Sequence, residues 1–452
     1  MKDTDTLLTG RIGPALLKFA VPFMLASFLQ ALYGAVDLFV VGRYSGSAAV
    51  SAVSIGSQVM MTVTSVLMGI ATGGTVLIAH KVGEKAQRRA AEAVGTLTVL
   101  FLITACILTP VMLLLTKAAV SLMSTPPEAV HDCEVYIRIC SAGVPFIIGY
   151  NGVSAIFRGI GDSKTPVVFI VIACIANIIG DFLLVGALQM GAAGAAIATI
   201  AAQAVSFAFS LLHIRRKGLT FPFSVKDIRL HRGDAASILR VGLPLALQDS
   251  LVRVSFLMIT AIINSLGLVA SAAVGIAEKV MGFAFLPASA CASAVAAMSA
   301  QNLGAGSALR AKRTWQYGML FSFLFGTTVC LFAQLFPNAL PTAFSKDSAV
   351  IFAAGQYMRT YSVDCVLVSF VFNTNSYFSS YGKTVICFIH SMIATFLFRI
   401  PATWLLSKIA ADSLLPMGWA APIASLSSIL ICLFYLPRIT KGKLKFDLGK
   451  EK

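Results

Sequence analysis

Long apolar stretches separated by short polar breaks run through the 452-residue chain from end to end. Twelve can be drawn, beginning with 12–41 and 48–79 and closing with 349–380, 384–407 and 416–437. A helix needs about 20 apolar residues to cross the hydrocarbon core of a bilayer. Only helices and closed barrels satisfy their backbone hydrogen bonds there, and the period-2 alternation of a barrel is absent. The pattern therefore predicts an all-α polytopic membrane protein with twelve transmembrane helices. Composition agrees, since 58% of the residues are hydrophobic and 12% charged, about half the charge of an ordinary soluble domain. Several stretches exceed the minimum length, which predicts tilt or bending. The polar first eleven residues and the length of the next stretch do not read as a cleavable leader, so the first span is expected to act as the targeting element.

Charge placement orients the spans. With the N-terminus inside, 26 Lys and Arg fall in inside segments and four in outside loops, while Arg138, Arg253, Lys279, Arg359 and Arg399 lie within spans. This asymmetry predicts a multi-pass protein of the cell membrane with both termini cytoplasmic. It also accounts for the net charge of +16 without nucleic acid as a partner. The nine cysteines are scattered through apolar stretches with no C-x-x-C pair and read as small packing residues.

The two halves of the chain repeat each other. "LKFAVP" at 17–22 matches "LRVGLP" at 239–244, and "GSAAVSAVSIG" at 46–56 matches "GLVASAAVGIA" at 267–277. "AHKVGEKAQRRA" at 79–90 matches "AQNLGAGSALRA" at 300–311, and "YIR" at 136–138 meets "YMR" at 357–359, all at a shift of 221 or 222. Six spans per repeat is an even number. The halves are thus expected to share one orientation, as two six-helix bundles related by a pseudo-two-fold axis along the membrane normal. This divides the chain into an N-terminal lobe (1–214), a basic cytoplasmic linker (215–234), a C-terminal lobe (235–440) and a basic tail (441–452). Such duplication is the build of a transporter.

Other chemistry finds little footing. The nearest approach to a phosphate-binding G-x-x-x-x-G-K-[ST] is "YGKT" at 381–384, where Tyr377 stands in the first glycine position. Metalloprotease, hydrolase and kinase signatures are missing, and the five histidines are far apart in sequence. The expectation is a protein that is not an enzyme and has no cofactor, with uphill transport drawing on an ion gradient.

Ionised groups inside spans are costly, at about 2.5–3.5 kcal/mol for a central Asp on insertion scales. The first such acid is Asp37, within "LYGAVDLFVVGRYSG". The first span exits near Gly42, placing Asp37 about one and a half turns below the outer surface. The fifth span runs outward to about Gly186, so Asp181 lies at similar depth, with Asn177 on the same helix face. The sixth re-enters near Met190 and carries Thr199. Two carboxylates, an amide and a hydroxyl in one layer are hard oxygen ligands suited to Na⁺ or to a proton on the carboxyls. The alternative is that each Asp caps a neighbouring helix or snorkels outward.

"P22…Q30…Y33…D37…VGR", "AVSIG", "VGEKAQRRA", "FRGIGDSKTP" and "NIIGDFLLVGALQMGAAGAAIAT" resemble the multidrug and toxic compound extrusion (MATE) family along the whole chain. The resemblance implies two six-helix bundles and export of organic cations in exchange for Na⁺ or H⁺. It implies cation binding by Asp37, Asn177, Asp181 and Thr199, as in the DinF-like branch. It further implies a bend of the first span at Pro22 and a substrate cavity lined by Gln30, Tyr33, Tyr136 and Asn151. The NorM-like acids of spans 7 and 10 are not matched: Val252 and Val368 stand at the aligned positions, with Asp364 one turn before the latter.

Other charges within spans remain to be placed. Asp249 and Arg253 sit i,i+4 on span 7 and can neutralise each other. Glu278 is a candidate for substrate contact, Lys279 for an interlobe pair, and Asp364 for a further acid. Arg399 aligns with Asn177 at the repeat offset, which puts a fixed positive charge in the C-terminal copy of the layer. The reading is a monomeric secondary antiporter of amphipathic organic cations. A lipid-linked saccharide flippase of the same superfamily is the alternative, and a non-transporting membrane enzyme or receptor the third.

Overall fold

Proline and glycine punctuate an otherwise helical chain. The structure, a computed structural model, describes residues 4–123, 125–409 and 413–440; the expected basic tail 441–452 lies outside the described residues. A short helix, α1 (Thr4–Thr9), precedes α2 (Ile12–Tyr44), α3 (Ser47–Gly83), α4 (Gln87–Leu122), α5 (Val130–Ala142), α6 (Val144–Ile160), α7 (Lys164–Asp181) and α8 (Gly191–Lys217). The second repeat begins with α9 (Arg232–Asn264) and continues through α10 (Leu268–Ala284), α11 (Leu286–Gly304) and α12 (Ala308–Leu335). After the single turn α13 (Ala339–Thr342) come α14 (Ser348–Tyr361), α15 (Val363–Ser380), α16 (Thr384–Met392), α17 (Ile400–Ile409) and α18 (Ala420–Thr440). Wider π turns extend α7 over Phe182–Ala187 and join α16 to α17 over Ile393–Arg399. The described residues contain no strand.

The repeat is visible helix by helix, and one of its differences follows from proline. Where the first half has the unbroken α3, the second has α10 and α11, parted at Phe285 because Pro287 enters the first turn of α11. Proline has no N–H for the ladder and is tolerated only in a helix's first turn; the equivalent position in α3, at the shift of 221 that holds on both sides, is Val66. Pro22 and Pro244, one repeat apart, both sit inside continuous helices, α2 and α9.

Ten helical stretches are long and apolar enough to cross a membrane, and the pair 127–142 and 144–160, bent by 49° at Gly143, makes an eleventh. The expected span 349–380 forms as α14 and α15, with Asp364, Ser369, Asn373 and Thr374 buried inside, which explains why it is not matched on composition. Lipid-facing surface is plain on α4, where Leu102, Ile107, Leu114 and Leu115 are 57%, 59%, 82% and 53% exposed. A soluble protein does not present a belt of that kind.

The helices group into two compact units, one of residues 25–242 and one of residues 5–24 with the chain from Leu243 onward. The division falls inside α2 and α9, within three residues of Pro22 and Pro244, and not in the linker. Each unit thus includes the start of the leading helix of the other repeat.

In the first unit the start of α9 lies against α3 with backbone touching backbone. A Cβ on Gly73 would overlap the Ile238 carbonyl oxygen, and one on Gly242 would lie 2.8 Å from the Gly69 carbonyl oxygen. Small residues allow helices within a membrane to approach this closely. The chain between α8 and α9 is docked as well. Gly95 leaves room for the Asp227 carbonyl, and Thr96 donates to the Arg229 carbonyl at 3.2 Å and accepts from the His231 amide at 3.2 Å. In the second unit, α1 and the start of α2 bury Leu7, Leu16, Phe19 and Phe23 with Trp315, Tyr377 and Phe378. Arg310 closes the C-terminal end of α1 by donating to the carbonyls of Leu7 (3.2 Å) and Gly10 (2.6 Å).

Candidate functional site

Four side chains expected to share one layer meet in the first unit. Asp37 lies two turns before the end of α2, Asn177 and Asp181 occupy the last turn of α7, and Thr199 the third turn of α8. α7 and α8 come close beside the layer because Gly180 has no side chain; a Cβ there would sit 2.9 Å from Ala198 Cβ. Asp37 is 6% exposed, Asn177 2% and Asp181 0%, so none snorkels to a headgroup. Thr199 Oγ1 donates to Asp37 Oδ2 at 3.3 Å. Asp181 and Asn177 lie near enough to act on the Asp37 carboxylate without completing hydrogen-bond geometry. Asp37 Oδ1, both carboxylate oxygens of Asp181 and both amide atoms of Asn177 are buried with no hydrogen-bond partner.

That concentration of unpartnered oxygen is the unusual feature. Buried polar atoms are nearly always hydrogen-bonded, and leaving one unpaired costs about 1–3 kcal/mol, more for charged groups. Capping fails as an account of Asp181: it is followed directly by the π stretch Phe182–Ala187, and its oxygens receive no amide. π turns often mark functional sites because the extra residue re-aims the side chains beside it. Among the described residues no three His, Cys, Asp or Glu side chains gather as metal ligands. The layer offers two carboxylates, one amide and one hydroxyl.

The residues taken as cavity-lining divide. Tyr33 and Gln30 lie one and two turns before Asp37, Gln30 exposed and Tyr33 half-buried beside Asp37. Tyr136 is 3% exposed and packs its ring over Gly56, where any side chain would collide with it. Asn151 donates back to the Ile147 carbonyl of its own helix at 2.8 Å, leaving its carbonyl end available. Gln203, one turn after Thr199 on α8, approaches Tyr33 and holds a buried Oε1 without a partner; its i,i+4 spacing from Thr199 was the signal for it. Pro22 lies in an unbroken helix, and its residues group with the second unit.

Glu278 belongs to the second unit. Its Oε2 accepts from the Tyr361 hydroxyl at 3.2 Å, and Arg399 Nη2 stands 3.8 Å from its Oε1. Arg399 also covers the Phe256 ring, with Cζ 4.2 Å from the centroid. Asp364 is buried nearby, whereas Asp249, Arg253 and Lys279 are exposed. Glu134 and Arg138 pair with each other on α5 at 3.1 Å.

A membrane-crossing chain made of a six-helix repeat, helical throughout its described residues and with unpartnered acids buried inside it, has the construction of a transporter. The chain belongs to the MatE family, whose model matches residues 22–183 and 244–405, one copy in each repeat. It is 25% identical over 398 residues to the probable multidrug resistance protein YpnP of Bacillus subtilis, covering 88% of this chain and 89% of that one. Over 435 residues it is 27% identical to the probable multidrug resistance protein NorM of Thermotoga maritima, covering 94% and 92%. The fold is that of a MATE crystal structure in the straight conformation, with a TM-score of 0.91 at 23% identity over 98% of this chain and 99% of that one.

Proposed function

We propose that the protein is a secondary active antiporter of the DinF-like branch that exports amphipathic organic cations in exchange for H⁺ or Na⁺. One observation carries this reading: the layer of Asp37, Asn177, Asp181 and Thr199 is buried and its oxygens are unpartnered. An arriving cation would satisfy those oxygens. A proton would bind a carboxyl, and Na⁺, as the exchanged ion, would suit this hard-oxygen set. Membership of the MatE family and the names of the Bacillus and Thermotoga relatives support multidrug export.

In this reading the protein works as a monomer in the cell membrane with both termini cytoplasmic, and the repeats 1–214 and 235–440 act as its lobes. Gln30, Tyr33, Tyr136 and Asn151 are the proposed substrate contacts of the first unit, and Glu278 is the proposed contact of the second. Coupling requires the ion to bind two conformations with different affinity. A bend of α2 at Pro22 is the proposed source, since it would move Asp37 relative to α7 and α8.

The test is efflux of an organic cation from proteoliposomes under an imposed Na⁺ gradient and, separately, a pH gradient. One gradient should drive efflux in the wild type, and Asp37→Asn and Asp181→Asn should each uncouple it. Efflux that answers neither gradient, or that both variants leave intact, would overturn the proposal.

A further inference from the structure

In both repeats a charged residue stands at one end of a π stretch: Asp181 just before Phe182–Ala187 and Arg399 as the last residue of Ile393–Arg399. The signs are opposite. In the first unit the acids lack a cation, whereas in the second a cation already stands beside an acid. Arg399 stands over the Phe256 ring, its Cζ 4.2 Å from the centroid, with Nη2 3.8 Å from Glu278 Oε1. Glu278 is held from the other side by Tyr361, itself edge-on to Tyr357 (5.4 Å) and Phe285 (6.2 Å).

A carboxylate walled by aromatic rings is a recognition site for organic cations, because ring faces and carboxylate both attract positive charge. A guanidinium is a planar, delocalised cation of that kind. The pair is also loose. A tight Arg–carboxylate bond closes to about 2.7–2.9 Å and is often bidentate. Here 3.8 Å is too long for a hydrogen bond, Glu278 Oε1 is buried without a hydrogen-bond partner, and the Glu278 side chain is still 28% exposed. An occupant so held can be exchanged.

We infer that Glu278, Phe256 and Tyr361 form a binding site for planar delocalised cations, of the guanidinium and amidinium class, and that Arg399 is its tethered competitor. A substrate binds by displacing Arg399 from Glu278. Arg399 thus sets specificity: it holds off weakly bound cations and leaves the site to those that stack on Phe256 and pair with Glu278 better than a guanidinium does. This inference rests on the export of organic cations proposed above, but its test needs no gradient.

The experiment is equilibrium binding of benzamidine to the purified full-length chain in lipid nanodiscs, with tetraethylammonium as a non-planar comparison. Arg399→Gln is expected to bind benzamidine at least about tenfold more tightly than the wild type, equivalent to about 1.4 kcal/mol. The gain should vanish in Arg399→Gln with Glu278→Gln, and tetraethylammonium should gain less. Should Arg399→Gln not yield folded protein, Arg399→Lys carries the test with an expected gain of about threefold, since an ammonium cannot stack as a plane. A folded variant with no gain, or a gain that survives loss of Glu278, overturns the inference. Gradient-driven efflux in the wild type alongside that result would leave the antiporter reading standing and remove this site alone.

Discussion

Thr199→Val tests the layer at its least disruptive point. Valine keeps the shape of threonine and removes only the hydroxyl, which donates to Asp37 Oδ2 at 3.3 Å. Hydrogen bonds to carboxylates close to about 2.5–2.7 Å for a hydroxyl donor, so this one is long and contributes roughly 0.5–1 kcal/mol to the ion-free state. In the proposed ion-bound state the same hydroxyl would turn its lone pairs to the cation, a charge-assisted contact of about 1.5–3 kcal/mol. The substitution removes both terms. Their difference, about 1–2 kcal/mol, corresponds to roughly 5–30-fold weaker binding of the driving ion. The assay is the half-saturating ion concentration for efflux from proteoliposomes, with Thr199→Ser as the hydroxyl-retaining control, expected within about threefold of wild type. A valine variant with wild-type half-saturation, or a serine variant equally impaired, would refute the assignment of Thr199 as an ion ligand.

Other predictions concern the frame that holds the layer. Gly73→Ala drives a methyl into the Ile238 carbonyl and should lower thermal stability in detergent by about 1–3 kcal/mol, the usual cost of overpacking. Gly275→Ala, at a helical glycine with open space around it, should raise stability by up to about 1 kcal/mol, and equal effects at both sites would defeat this argument. Arg310→Ala loses the bonds to the Leu7 and Gly10 carbonyls and should destabilise by about 1.5–3 kcal/mol, read as a lower melting temperature. Thr96→Val should release the linker from α4; limited proteolysis after Lys226 or Arg229 is expected to quicken while the transmembrane core stays intact.

The acid layer was legible because charge inside a span is rare and depth can be counted from helix ends. Asp37, Asn177, Asp181 and Thr199 each lie within a few turns of a marked boundary, so small register errors leave them level. The Glu278–Arg399 pair escaped this counting. At the repeat offset Arg399 matches Asn177, but it lies at the end of a π stretch, where each turn takes an extra residue and the 3.6-residue arithmetic fails. Nothing in the amino-acid order marks that insertion. Helix ends were legible at proline and less so elsewhere: the linker read as 215–234 shrinks to 218–231, because α8 runs on to Lys217 and α9 starts at Arg232. Its docking depends on the missing side chain of Gly95, and a single glycine within a helix does not announce what approaches it. The cut between compact units, inside α2 and α9, was likewise invisible to a repeat alignment, which records matching segments and not the neighbours they choose.

That exchange of helix starts has a genealogical corollary. A polypeptide of one repeat, made alone, would expose a groove shaped for the leading segment of a sister copy and would leave its own leading segment without a seat. A six-helix forebear built in this way could have functioned only in pairs, and fusion of two such genes would have tied together partners that already depended on one another.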